Sequence, residues 1–177
     1  MDKSAKRIRK MMMTWRAMTA ADLPAVLAVA DAVHTDYPER VEVFADRLAL
    51  FPAGCRIAGG GDTVIGYGVM HPGILGRPPA LDSLLERLPD GGDCLYLHDI
   101  ALLPAARGLG LGEAVLAHAH HVARDHGLPW LALTSTPLAR GYWLARGFTP
   151  SDAGGEALAA KLASYGDGMM YMTMPVA

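Results

Sequence analysis

The sequence is short of cysteine, of charge of one sign and of long apolar runs. Its two cysteines, Cys55 and Cys94, make no disulfide framework and no ligand pair of useful spacing, so the expected setting is a reducing, cytoplasmic compartment. Sixteen Lys and Arg against eighteen Asp and Glu leave a net charge of -2. That balance gives no support to nucleic-acid binding. No run is long and apolar enough to span a membrane, and the basic N-terminus is not followed by the continuous apolar segment of a signal peptide. There is no internal repeat and no low-complexity linker.

What is there is a chain of 177 residues, 51% of them hydrophobic, enough for one well-buried domain. Residues 1–13, with Lys3, Lys6, Arg7, Arg9 and Lys10 ahead of three methionines, read as a disordered basic leader. A targeting or nucleic-acid arm is the alternative, and Met11, Met12 or Met13 is a candidate start. The single domain then covers 14–177. "TWRAM" reads as a first strand, and "TAADLPAVLAVADAVH" as a helix with capping-box spacing between Thr19 and Asp22. "PERVEVFADRLALF" reads as a second helix. "CRIAGGGDTVIGYGVMH" carries a hairpin signal, and a long Pro- and Gly-rich loop with one short helix near 80–88 follows. "CLYLHDIALL" is the strongest strand, "EAVLAHAHHVARDHG" a helix and "WLALTST" a strand. After them come the short helix of "PLARGYWLARGF", a helix at "EALAAKLASYG" and a last strand at "MMYMTMPV". This order points to an α/β or α+β fold.

The feature that stands out is "PAARGLGLGEAV" (104–115), where Gly108, Gly110 and Gly112 alternate between a strand and a helix. The dinucleotide fingerprint G-x-G-x-x-G requires glycine at Glu113 or Val115, and the Walker pattern requires a Gly-Lys-Ser/Thr that the chain does not contain; both fail. What remains is Arg-x-x-Gly-x-Gly opening a helix. Glycines admit a bulky anion close to the backbone, and free N–H groups at a helix start point toward it. On the loop alone, a phosphate cradle and a tight turn that binds nothing are equally good readings.

In context the arrangement resembles the GNAT superfamily of acyl-CoA-dependent N-acyltransferases. There a fourth strand leads into Arg/Gln-x-x-Gly-x-Gly/Ala, here Arg107, Gly110 and Gly112. The family's later Asn-x-x-Ala-x-x-x-Tyr-x-x-x-Gly-Phe pattern reads here Thr136, Ala139, Trp143, Gly147 and Phe148. The resemblance implies a mixed, mostly antiparallel sheet flanked by helices and splayed between its fourth and fifth strands. Acetyl-CoA is the implied acyl donor, with no metal. The backbone of Ile100, Ala101 and Leu102 would hold the pantetheine arm. Arg107, Gly108, Leu109, Gly110, Leu111 and Gly112, with Glu113 opening the helix, would hold the pyrophosphate. Thr136, at the asparagine position, is carried as a further coenzyme contact.

The implied reaction is direct acyl transfer from thioester to amine through a tetrahedral intermediate, and an acyl-CoA-binding module with weak or no catalysis is the alternative. A third reading is a phosphate loop for another nucleotide. The base candidates are His98 and Asp99. Strand alternation puts them on opposite faces, a count that a bulge of the kind usual in this family would spoil. The family's tyrosine position holds Trp143. The acid candidate is therefore Tyr142, about 100° round the helix, and unassisted departure of the thiolate is the alternative. The acceptor is a small-molecule or peptide amine, shaped by the first two helices and the 71–93 loop, with Tyr37 and His71 in that region. Family members are often dimers, which makes a homodimer an expectation. His118, His121 and Asp125 share a helical face opposite an apolar stripe and read as solvated rather than metal-binding.

Overall fold

The computed structural model describes residues 13–176. In chain order it runs β1 (Thr14–Ala17), α1 (Leu23–Val33), α2 (Val41–Leu50), β2 (Cys55–Gly60), β3 (Thr63–Gly73), β4 (Cys94–Leu102), α3 (Leu111–Asp125), β5 (Trp130–Ser135), α4 (Arg140–Leu144), β6 (Thr149–Pro150), α5 (Gly155–Tyr165) and β7 (Met170–Pro175). The leader lies outside the described residues apart from Met13, which packs against a cluster of Ala58, Ile65, Leu109 and Leu111.

The strands form one sheet in the order β1-β2-β3-β4-β5-β7-β6. The first four make an antiparallel meander. β4 and β5 are parallel and pair only at their first residues, Cys94 to Tyr96 against Trp130 to Ala132. Beyond these the two strands part. β7 lies antiparallel between β5 and β6, so the mostly antiparallel, splayed sheet expected from the sequence is the one observed.

Each face of the sheet buries its own apolar set. On one face α3 lays Val115, Ala119, Val122 and Ala123 against Met70, Leu95, Leu131 and Leu133. This is the apolar stripe of an amphipathic helix meeting alternate residues of the strands. On the other face α1 and α2 bring Val26, Val29, Ala30 and Phe44 onto Ile57, Tyr67, Val69 and Ala101. α5 covers the far side of that second face through Leu158, against Cys94, Tyr96, Ala132 and Tyr171. A groove is therefore left on the second face, at the strands that part.

The entry to α1 is set by Asp22. Its carboxylate accepts from the Thr19 N–H at 2.8 Å and from both terminal nitrogens of Arg16, at 2.8 and 2.5 Å. The Arg16 hydrogen bonds hold the Asp22 carboxyl well below the usual carboxylate range, against the opposing effect of burial. A depressed folded-state pKa contributes stability that is complete above the unfolded value of about 3.9 and is lost as pH falls through the folded value. Asp22→Ala is expected to lower unfolding stability by about 1 kcal/mol at pH 7, and the deficit should shrink below about pH 4. Urea midpoints for both proteins at pH 7 and pH 3 test this; an undiminished gap at pH 3 counts against it.

The short helix expected near 80–88 does not form. The 74–93 segment is instead an irregular loop, with Asp82 and Glu86 at positive φ (48° and 62°). It is bound down from α2 and the residues before it. Asp46 accepts from the N–H groups of Leu85 and Glu86, the fully buried Arg47 donates to the Ser83 carbonyl at 2.8 Å, and Asp82 accepts from Arg40 Nε at 2.8 Å. Tertiary hydrogen bonds satisfy this backbone, and they outcompete the helix that composition suggested.

Candidate functional site

The register of β4 breaks at the point where the chemistry was expected. Val69 pairs with Asp99, but the next residue, Met70, pairs with Leu97. His98 is thus the extra residue of a β-bulge. A bulge resets side-chain alternation, so Tyr96, His98, Asp99 and Ala101 all belong to the α1–α2 face. The opposite-face placement of His98 and Asp99 predicted by simple alternation is therefore corrected: both line the same groove.

Each has partners that the sequence did not announce. His98 Nε2 lies 2.9 Å from Glu39 Oε2, with both side chains under a tenth exposed. A carboxylate only accepts, so Nε2 carries a proton, and the tautomer this contact selects has its lone pair on Nδ1. Glu39 Oε1 accepts from the Asp82 N–H, which ties the loop to the pair. Asp99 has both oxygens engaged: Oδ2 accepts from the Tyr67 hydroxyl, and Oδ1 is 2.8 Å from His34 Nε2. Burial alone pulls the His34 pKa down, but its contact with Asp99 and the charge of Glu39 outweigh this and raise it. Burial pushes the Tyr67 hydroxyl well up, and Asp99 adds to the shift.

His71, expected at a strand end, is instead inside β3 opposite Tyr96 and almost fully buried. Burial pushes its pKa down to about 3. The neutral ring donates from Nδ1 to the Pro72 carbonyl at 2.9 Å, and it stands 6.0 Å from the His98 ring.

Two cavities meet at these groups. One, of about 340 Å³, lies where β4 and β5 part. Leu97, Ile100, Leu133 and Trp143 line it along with His98 and Asp99. The other, of about 120 Å³, lies under the 74–93 loop, between Glu39, Tyr96, Tyr165 and Met169. His34, Tyr37, His98, Asp99, Thr134 and Thr136 border both. Past Tyr96 the edge of β4 toward β5 has no strand partner, which leaves backbone groups that a ligand in the larger cavity can satisfy.

The glycine loop closes the far end of β4. Gly108 and Gly110 adopt left-handed φ of 72° and 77°, and Gly110 is the N-cap of α3. Only this backbone lets the chain turn from strand into helix while Leu109 and Leu111 point inward to Ala58 and Ile65. The first-turn N–H groups, which have no intrahelical acceptor, open on a cavity of about 300 Å³. Arg107, Gly108, Gly112, Glu113 and two residues from α4 and its end, Tyr142 and Arg146, line that cavity. A Cβ on Gly112 would lie 2.3 Å from the Tyr142 hydroxyl. Of the strand residues leading in, Ile100 borders the larger cavity and Leu102 the loop cavity, whereas the Ala101 side chain is buried in the α1–α2 core.

The second motif is divided between the two ends of this track. Trp143 faces the larger cavity and packs edge-on to Phe148 at 5.4 Å. Tyr142 faces the loop cavity, with the Arg146 guanidinium 3.5 Å from its ring centroid. The structure does not bring Tyr142 together with His98 and Asp99. Thr136 Oγ1 accepts from the Ala139 N–H at 3.3 Å and so shapes the entry to α4. On α3, His118 Nε2 sits 3.0 Å from the Ala53 carbonyl, and His121 pairs with Asp125 at 3.2 Å on the exposed face.

Glu39, His34, Thr134 and Arg146 were not singled out from the sequence. The one available signal for the first two was the density of polar groups in "HTDYPER" (34–40), between two helices.

A profile described as the acetyltransferase (GNAT) family matches residues 15–148. No curated protein matches the sequence. Among solved structures, N-acetylglutamate synthase from Neisseria gonorrhoeae, complexed with coenzyme A and N-acetyl-glutamate, is 18% identical with a TM-score of 0.72, over 93% of this chain and 35% of that one. The chain thus spans about a third of that enzyme's length. The GNAT-like decarboxylase GphF, in complex with isobutyryl-CoA, is 15% identical with a TM-score of 0.71, over 93% of this chain and 100% of that one. Arabidopsis thaliana Naa50, in complex with the bisubstrate analogue CoA-Ac-MVNAL, is 13% identical with a TM-score of 0.65, over 92% and 98%. At these identities the likeness is one of fold.

Proposed function

Because the chain belongs to the acetyltransferase (GNAT) family, we propose that it is an N-acetyltransferase that moves the acetyl group of acetyl-CoA onto a primary amine. The observation that carries this reading is the parting of β4 from β5, with a left-handed glycine turn at one end and the His98–Glu39 pair at the other. The glycine loop fits a diphosphate: bare first-turn N–H groups, a favourable helix dipole, and Arg107 and Arg146 beside them. The neighbours crystallised with coenzyme A or its conjugates support the choice of donor.

Transfer breaks the thioester C–S bond and forms a C–N bond, and the amine must lose a proton. His98 takes that proton at Nδ1, directly or through one water, while Glu39 holds the ring by Nε2. Asp99, with both oxygens engaged, holds His34 and Tyr67 in place rather than acting as base. Free N–H groups on the unpaired edge of β4 stabilise the oxyanion. The thiolate leaves without a tyrosine acid, since Trp143 occupies the wall there, and Tyr142 serves the phosphate end. The setting proposed for the protein is reducing and cytoplasmic.

Thiol release from acetyl-CoA with a panel of primary amines tests the reading. Turnover on at least one amine is expected. Coenzyme A binding without turnover on any of them favours a binding module, and a thermal shift with ATP or NAD but not coenzyme A favours another nucleotide. Arg146→Ala is expected to weaken coenzyme A binding about tenfold, the loss of a charge-assisted hydrogen bond. Calorimetry checks this, and unchanged affinity removes Arg146 from the cradle.

A further inference from the structure

The smaller cavity carries a statement about the acceptor, which rests on the acetyltransferase reading above. Its walls and those of the adjoining slot hold three carboxylates, Asp36, Glu39 and Asp99, and two histidines, His34 and His98. Among the described residues no Lys or Arg lines either cavity. The arginines nearest in sequence are turned elsewhere: Arg40 to Asp82 at 2.8 Å, and Arg47 to Asp46 and Ser83. A site that takes an amino acid needs a cation or a donor fork for the substrate carboxylate. This one has no Lys or Arg to hold that carboxylate, and its two histidines already face Asp99 and Glu39.

Besides these groups and Tyr37, Tyr96, Thr134 and Thr136, the small cavity has an apolar wall. Pro79, Ala80 and Leu81 come from the loop, Tyr165 from the end of α5, and Met169 from just before β7. Tyr165 donates to the Pro79 carbonyl, which keeps its polar tip occupied and leaves the ring as wall. Leu81 is 44% exposed at this rim, apolar surface that an occupant would cover. The volume, about 120 Å³, is close to the roughly 150 Å³ that holds one benzene ring. The loop itself is bound down through Asp46, Arg47, Glu39 and Asp82, so the cavity is a built feature of the fold.

We infer that the acceptor is a small primary amine carrying an apolar group of about one ring and no carboxylate beside its nitrogen. The ammonium enters between Glu39 and Asp99, gives up its proton at His98, and leaves its apolar group against the 79–81 wall.

Phenylethylamine, phenylalanine and a short peptide with N-terminal phenylalanine differ in the group beside the nitrogen, and they serve as probes with the full chain and acetyl-CoA. The expected result is a kcat/KM for phenylethylamine at least tenfold above both of the others. Equal or better use of phenylalanine overturns the inference, and preference for the peptide replaces a small amine with a chain end. If none of the three turns over while another amine of the panel does, the inference is overturned; if no amine turns over, the acetyltransferase reading fails, and calorimetry on the coenzyme A-loaded protein tests the inference by itself. Tighter binding of phenylethylamine than of phenylalanine upholds it, and equal, reversed or absent binding overturns it. Ala80→Trp, at an exposed position, is expected to raise KM for phenylethylamine at least fivefold but not KM for ethylamine, with coenzyme A affinity unchanged. An equal rise for both amines removes the apolar wall from the inference.

Discussion

Gly110→Asp is expected to abolish coenzyme A binding while leaving the fold standing. Gly110 is the N-cap of α3 with φ of 77°. Aspartate is among the few residues that tolerate this region, and it is a good N-cap, so the helix itself is not threatened. What changes is the anion site. The new carboxylate accepts from the same first-turn N–H groups that would hold the diphosphate, and it sets a negative charge against a ligand of the same sign. Two such charges about 4 Å apart repel by about 4 kcal/mol at an effective dielectric of 20, roughly a thousandfold in affinity. Gly110→Asn separates the two effects, since it keeps the shape and removes the charge; a loss of about tenfold or less is expected there. Calorimetry with coenzyme A, beside a melting curve for each variant, reads both. A dissociation constant for Gly110→Asp within threefold of wild type would sink the loop assignment.

His98→Ala is expected to cut kcat by about 100-fold or more, with coenzyme A affinity within twofold of wild type. A positioned general base contributes about 10²–10⁴ in rate, about 3–5 kcal/mol at the transition state. The prediction separates His98 from Asp99 because their surroundings differ. His98 has one ring nitrogen on Glu39 and the other unbonded among the described residues, whereas each Asp99 oxygen already has a neighbour, Tyr67 or His34. Glu39→Gln keeps the size and loses the charge that favours an imidazolium, so a loss smaller than that of His98→Ala is expected. Steady-state kinetics on the three single variants, with Asp99→Asn as the third, decides between the candidates. A deep loss in Asp99→Asn together with a mild one in His98→Ala would move the base to Asp99.

Much of the fold was legible because its signals are local. The hairpin of β2 and β3 announced itself by Gly59 to Gly61 between apolar runs, and α3 by alternating glycines followed by an apolar stripe. The two-residue β6 carried no such signal; it forms because Thr149 and Pro150 meet the edge of β7. The helix expected near 80–88 failed for a related reason. Its backbone found partners on Asp46 and Arg47, which lie more than thirty residues away in sequence.

The sequence by itself determined the family, the strand order around the glycine turn and the place of that turn at the head of α3. These rest on residues within one turn of each other, or on two motifs at a fixed separation, and such relations hold in any fold that keeps the spacing. The tertiary structure alone decided which side chains share the groove. One inserted residue at His98 turned His98 and Asp99 onto the same face, and a shift of a single position in strand register exchanges every side chain beyond it. It also brought Glu39 onto His98 across 59 positions and sent Tyr142 to the glycine-loop cavity while Trp143 took the cleft. Contacts of that kind depend on how two distant elements dock, and no local pattern in the chain encodes that.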